Sequence, residues 1–248
     1  MTIGIIGGSG LCAFEELEAQ APRDVATEWG TPSAPLIGGT LRGRRVVFLA
    51  RHGEPHTIPP HRVNYRANIS ALHSEGVTGI IAVNVVGGIN GEMCPGDLVI
   101  PDQIIDYTWG RQHTYSDGAG AALQHVDFTQ PYDDGLRDSL LQAAIAAGMT
   151  VHAGGVYGAT QGPRLETAAE ITRMANDGCD VVGMTGMPEA ALARELGIPY
   201  ACLALVVNMA AGLGAERITM SDIQALLAQR MPDIRRLLVA AVGNDNDT

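Results

Sequence analysis

The chain has 248 residues, enough for one large domain or two small ones. Its 16 Lys+Arg against 27 Asp+Glu give a net charge of −11, which argues against nucleic acid or a membrane surface as partner but leaves room for one small anion at a local arginine. Hydrophobic residues at 46% and charged residues at 17% describe a globular protein, and four scattered cysteines without a C-x-x-C or a histidine at metal spacing imply unpaired, buried or half-buried thiols and no metal site.

The N-terminal "MTIGIIGGSG" lacks a basic n-region, and its glycines interrupt the apolar stretch, so it does not read as a signal peptide. The most apolar region, around residues 200–215, is shorter than the roughly 20 residues a spanning helix needs. A cytoplasmic location follows from both.

The first strand, "IGII" at 3–6, runs into "GGSG". Clustered glycines let the backbone turn tightly and aim N–H groups at an anion, and Ser9 adds a hydroxyl donor. Gly8 to Ala13 also fits G-x-G-x-x-A, with Glu28 where an acidic ribose ligand would stand, which opens a second reading as an NAD-dependent oxidoreductase.

The next strand, "RVVFLA" at 45–50, leads into "ARHGEPHTIPPHRVNYRAN". This stretch concentrates cations in an acidic chain. Arg51 and His52, at the strand end, read as ligands for a phosphate-type anion, since arginine presents a fork suited to it. His56 and His61 read as punctuation of a Pro-rich loop, and Arg62 and Arg66 as a solvated helix face.

A third strand, "GIIAVNVV" at 79–86, carries Asn84 just before two glycines. Ligands of open α/β sheets gather outside the carboxyl ends of strands, so Asn84 and the Val85 amide are candidate anion donors. "DLVIP" at 97–101 is a further strand. In "TQGPRLET", Glu166 follows a Gly-Pro turn and precedes a helix, with Thr167 and Glu170 at capping-box spacing and Gly178 as its stop.

The strand "DVVGM" at 180–184 ends just before Thr185, whose hydroxyl can cap the next helix or help its N-terminus hold phosphate. That helix has Pro188 in its first turn and Gly197 past its end. The strand "YACLALVVN" at 200–208 contains one amide, Asn208, which burial without a partner would penalise by roughly 1–3 kcal/mol. The last helix starts with Ser221 and Gln224 at capping-box spacing and carries Pro232, which predicts a kink or break.

Alternating strands and helices predict an α/β fold with a largely parallel, twisted central sheet flanked by helices. Near-continuous apolar strands imply cover on both faces. No linker or repeat divides the chain, so residues 1–243 form a single domain with 244–248 as a tail.

In this order, "GIIGGSG", "RHGEPHTIPPHRVNYRAN", "PGDLVIPDQIIDYT", "GPRLET", "GMTGMPEAALARELGIPYACLA" and "VVN" resemble the trimeric purine nucleoside phosphorylase and methylthioadenosine phosphorylase family. The resemblance spans residue 3 to about 240. It implies reversible phosphorolysis: a nucleoside and inorganic phosphate give a free purine and a pentose 1-phosphate, with no cofactor. It also implies that Ser9, Arg51, His52, Asn84, the Val85 amide and Thr185 hold phosphate, with His52 and Asn208 in catalytic roles. Met184 would lie under the ribose, and Leu165, Glu166, Asn208, Met209 and Ala210 would contact the substrate. His125 would be lent to the sugar pocket by the neighbouring subunit of a homotrimer.

Adenine-specific members carry Asp at the position of Asn208 and again at that of Ala210, with a small hydroxyl residue at that of Glu166, whereas 6-oxopurine members pair Glu with Asn. The chemistry agrees: Glu166 can only accept, which suits the N1–H of hypoxanthine, and Asn208 can donate to O6. Members that accept a 5′-hydroxyl place a His near Met220, and a thioether there, flanked by Thr219 and Ser221, suits a 5′-methylthio group. Methylthioinosine is therefore the expected first substrate, then inosine or guanosine, then methylthioadenosine. A non-catalytic nucleobase-binding protein on the same scaffold would require a broken phosphate site.

Overall fold

The computed structural model describes residues 1–8, 11, 17–118, 123–214 and 219–243. Ser9, Gly10, Cys12, Ala13 and the tail 244–248 lie outside the described residues.

Among the described residues, eleven strands form one mixed sheet: β1 Ile3–Gly7, β2 Leu17–Ala19, β3 Ile37–Leu41, β4 Arg44–Ala50, β5 Gly79–Gly88, β6 Leu98–Ile100, β7 Gln103–Asp106, β8 Val151–Ala153, β9 Val156–Ala159, β10 Val181–Gly183 and β11 Tyr200–Met209. Five α-helices accompany it: α1 Tyr65–Ser74, α2 Asp134–Ala146, α3 Ala168–Asn176, α4 Gly186–Glu195 and α5 Met220–Gly243. The long strands β1, β5 and β11 are buried almost throughout because helices cover both faces. One face packs on α2 and α5 through Leu136, Leu140, Ile234 and Leu237, and the other on α1 and α4 through Ile69, Leu72, Ala190 and Leu192. Among the described helices none is long and apolar enough to cross a membrane.

β5 organises the sheet. One of its edges pairs along its length with β11, in parallel, from Ile80 to Gly88. Its other partners change halfway: β1 pairs in parallel up to Ala82, and β10 takes over, antiparallel, at Gly87 and Gly88. Between these partners lie Val83, Asn84, Val85 and Val86, at the point where the strand order switches, which is where open α/β sheets place their ligands. Val85 is 41% exposed in an otherwise buried strand. β11 carries a register shift between Val206 and Asn208, so that Asn208 rather than Val207 stands opposite Gly87.

All six strands expected from sequence are present. The short strands β2, β3, β7, β8 and β9 are additional, since runs of three to five residues such as "IGGTL" give no usable periodicity. Helix α2 is also additional, capped by Asp133, whose side chain accepts from Leu136 N. The Thr167–Glu170 capping box of α3 forms as expected. In α5 the cap shifts: Thr219, not Ser221, accepts from Asp222 N at 3.2 Å, so the expected Ser221–Gln224 box is corrected by two residues. Helix α5 also runs through Pro232 as one element, because Ile234, Leu237, Leu238 and Val242 anchor its second half in the core.

Two other expectations are corrected. Cys94 is exposed, whereas Cys179 and Cys202 are buried. The dinucleotide reading fails on topology: β2, the strand that follows β1 in the chain, pairs antiparallel with β3 and not in parallel beside β1, and Glu28 is exposed on a loop.

At Gly183, the end of β10, a Cβ would lie 2.1 Å from the Tyr157 hydroxyl oxygen. Gly183→Ala is expected to lower stability by about 1–3 kcal/mol through overpacking, read as a lower urea midpoint; an unchanged midpoint would mean that Tyr157 moves freely.

Candidate active site

The residues at the strand switch form one buried hydrogen-bonded array. Arg51, at the end of β4, is 2% exposed. Its Nε and Nη2 donate to the Glu189 carboxylate at 2.7 and 2.8 Å, its Nη1 to the Val83 carbonyl at 3.1 Å and its Nη2 to Asn84 Oδ1 at 3.1 Å. Tyr200 adds a hydroxyl donor to Glu189 at 2.9 Å. Burial alone would lower the affinity of Arg51 for its proton, but the adjacent Glu189 carboxylate reverses this and holds it above the usual arginine range. The fork expected to grip phosphate is thus engaged by Glu189, Val83 and Asn84, which together take four of its five hydrogens and leave one on Nη1.

The brace sets the amide of Asn84. With Oδ1 receiving Arg51, Nδ2 donates to the Thr185 hydroxyl oxygen and to the Tyr157 hydroxyl oxygen, each at 3.2 Å. Thr185 is 7% exposed and makes no side-chain cap to α4. Its oxygen already accepts from Asn84, so its own proton is available to an acceptor. Arg51 N bonds Gly7 O at 2.9 Å, which brings the end of β1 beside this group. Four expected residues, Arg51, Asn84, Val85 and Thr185, therefore converge, while Ser9 lies outside the described residues.

His52 enters as a neutral ring. Its Nδ1 sits 2.8 Å from the Ile58 carbonyl, an acceptor only, so Nδ1 carries the proton and Nε2 the lone pair. Burial first, then the charge of Arg51, pushes its pKa down to about 4, against the pull of the Ile58 carbonyl. His56 stacks on it with ring centroids 4.4 Å apart and is lowered too, by burial and then by Arg51. His61 and Arg62 are exposed, as expected of a solvated loop. Arg66 is not on a solvated face: it is 7% exposed, bonds Asp117 at 2.8 Å and Gln112, and covers the Trp29 ring at 4.6 Å.

A second group lies beyond β9 and β10. Glu166 lines an open cleft with Tyr107, Thr160 and Gly162. Thr160 donates its hydroxyl to Glu166 Oε1 at 2.6 Å, leaving Oε2 for another donor. Met184 packs against Gly162: a Cβ there would meet its sulfur at 2.5 Å, and the positive φ of +58° at Gly162 also favours glycine. Half-buried Asn208 donates Nδ2 to the Met209 carbonyl at 2.7 Å, and Ala210 packs on Ile171 and Met174 of α3, the helix that Glu166 precedes. Leu165 is 44% exposed, Met220 64% exposed, and His125 is also exposed, so this chain alone does not enclose them.

Sequence reasoning missed Glu189, Tyr157, Thr160 and Arg111. Glu189 in the first turn of α4 reads as a carboxylate favoured by the helix dipole, and nothing near it points to Arg51, 138 positions away.

A family model described as "Phosphorylase superfamily" matches residues 2–243. A protein of Xanthomonas campestris pv. campestris named "Probable S-methyl-5'-thioinosine phosphorylase" is 55% identical over 90% of this chain and 90% of its own length. The 6-oxopurine nucleoside phosphorylase of Pyrococcus furiosus is 46% identical over 97% of this chain and 91% of its own. Among solved structures, a methylthioadenosine phosphorylase of Schistosoma mansoni in complex with adenine superposes with a TM-score of 0.92 at 33% identity, covering 98% of this chain and 91% of that one.

Two outcomes follow from the buried array. Glu189→Gln leaves Arg51 without its counter-charge and is expected to cost about 3–5 kcal/mol, measured by urea denaturation; a cost below 1 kcal/mol would show that the pair is dispensable. For His52, the unfolded ring binds its proton near pH 6.5 and the folded one only near 4, so stability falls as pH drops through that interval. Thermal scans of wild type and His52→Gln between those limits should show a shallower decline in the variant, and parallel curves would contradict the shift.

Proposed function

The chain belongs to the phosphorylase superfamily, and we propose that it cleaves S-methyl-5'-thioinosine with inorganic phosphate, giving hypoxanthine and 5-methylthioribose 1-phosphate. It is an enzyme, a pentosyltransferase of the purine nucleoside phosphorylase type. The observation that carries the choice of base is the pair Glu166 and Asn208 beside Ala210. Glu166 keeps one oxygen as an acceptor for a purine N1–H, which adenine lacks. Asn208 spends one Nδ2 hydrogen on Met209 and keeps the other for O6 or N7, both of which are acceptors in the nucleoside.

In this reading phosphate lies at the strand switch, beneath C1′ of the sugar. Thr185 donates its free hydroxyl proton, the Val85 amide and Ser9 add neutral donors, and Arg51 and Asn84 fix the Thr185 oxygen from behind. His52, uncharged, offers Nε2 as an acceptor and suits a protonated phosphate oxygen. Glycosidic cleavage builds positive charge on the sugar and negative charge on the departing base. Phosphate answers the first, and the Asn208 amide, whose bond strengthens as charge enters the ring, the second.

For the sugar, the Met220 thioether suits a 5′-methylthio group, and its 64% exposure in the single chain leaves it open to a ligand or a neighbouring subunit; inosine or guanosine is the second reading. The proposal includes a homotrimer in the cytoplasm. Exposed His125 is then free to reach a neighbour's sugar pocket, and Cys94, Cys179 and Cys202 stay as thiols.

Initial rates with methylthioinosine, inosine, guanosine and methylthioadenosine, each with and without phosphate, test the reading. Phosphate-dependent release of hypoxanthine from methylthioinosine should be fastest, and faster cleavage of methylthioadenosine would overturn the assignment of Glu166 and Asn208. Asn208→Asp replaces the O6 donor with an acceptor and should lower kcat/KM for methylthioinosine by about 10²-fold or more; retained activity would remove Asn208 from base selection.

A further inference from the structure

Arg111 is 8% exposed and lies outside every motif considered above. Its guanidinium meets six acceptors, and none is a carboxylate. Nη2 donates to the carbonyls of Thr160 and Gln161 at 3.1 and 2.9 Å, and Nε to Gln161 Oε1 at 3.1 Å. Nη1 donates to the carbonyls of Met184 and Met187 at 2.9 and 2.6 Å and lies 3.2 Å from the Tyr65 hydroxyl oxygen. The cation also sits over the Tyr65 ring at 5.4 Å. Tyr65 in turn donates to the Pro60 carbonyl at 3.0 Å, in the loop that follows His52.

These acceptors fall on two separate segments. Thr160 and Gln161 open the segment that carries Glu166, and the Thr160 hydroxyl is the group that orients that carboxylate. Met184 and Met187 bracket Thr185. One planar fork therefore spans the space between the base-reading segment and the phosphate segment, with opposite edges of the guanidinium assigned to each. A lysine could supply the charge but not the two edges, since its ammonium presents a single point.

We propose that Arg111 is a positioning residue that fixes the separation between Glu166 and Thr185, and so holds base and phosphate at the reacting distance across the sugar. The inference rests on the roles given to Glu166 and Thr185 under the proposed function. The side chains proposed to bind base and phosphate, Glu166, Asn208 and Thr185, are not touched by Arg111, so its loss leaves those two subsites formed. What suffers is the step that needs both subsites in register, and misplacement by about 1 Å can cost about 10²-fold in rate.

The test is Arg111→Lys, assayed with whichever purine nucleoside the wild type cleaves. We expect kcat to fall by about 10- to 100-fold while KM for nucleoside and for phosphate each change less than about threefold. Wild-type kcat in the Lys variant would mean that charge alone is required, and a loss confined to KM for phosphate would make Arg111 an electrostatic attractor; either overturns the proposal. Should Arg111→Lys not fold, Tyr65→Phe removes one acceptor of Nη1 and keeps the carbonyl contacts. It should lower kcat by about threefold with KM unchanged, and an unchanged kcat would overturn the positioning role. Inactivity of the wild type toward every purine nucleoside would instead overturn the proposed function, so the two failures are distinguishable.

Discussion

A guanidinium with almost no exposure must have its hydrogens and its charge answered from within, and Arg51 is answered by Glu189, Val83 and Asn84. That requirement ties four separate parts of the chain together. β4 delivers the arginine, β5 the carbonyl and the amide, α4 the carboxylate, and Tyr200 at the start of β11 a further hydroxyl on the carboxylate. The Asn84 amide can face only one way once Oδ1 has received Arg51, and that orientation decides that Thr185 accepts from it and keeps its own proton to give. The chemistry offered at the strand switch is therefore set one layer below the surface that meets a ligand.

The two buried guanidiniums near the site are satisfied in opposite ways. Arg51 is matched by a carboxylate, whereas Arg111 meets only carbonyls, an amide oxygen and a phenol. The pair Arg51–Glu189 is neutral as a unit, whereas the charge of Arg111 is met by oxygen dipoles from two segments.

Much of the fold was legible in the sequence because its long strands are apolar on both faces and its helices carry ordinary stop signals. The capping box of Thr167 and Glu170 needed only local spacing. The membership of Arg51, Asn84 and Thr185 in one site was legible because Arg51 and Thr185 follow the carboxyl ends of strands and Asn84 interrupts an apolar strand at the switch, where an α/β sheet gathers ligands. What escaped was pairing at a distance. Glu189 and Arg51 are 138 positions apart, and Arg111 reaches Met184 across 73, with no local pattern to mark either end. Arg66 misled for the same reason: its helical neighbourhood looks solvated until Trp29 and Asp117 arrive from elsewhere. His52 looked like a cation in a cationic loop, and only its burial and the Ile58 carbonyl reveal a neutral ring.

The register shift in β11 places Asn208 opposite Gly87 by inserting Val207 as an unmatched residue. Side chains on a strand alternate faces, so removing one residue between Val206 and Asn208 would turn the amide to the opposite side of the sheet and bring an apolar group in its place. The side chain at position 208 can therefore vary by substitution, while the length of the strand before it cannot vary without reversing its face. Under the proposed function, a change in base preference would accordingly be written in side chains at 208 and 210, whereas a deletion in that stretch would turn the amide away from the base.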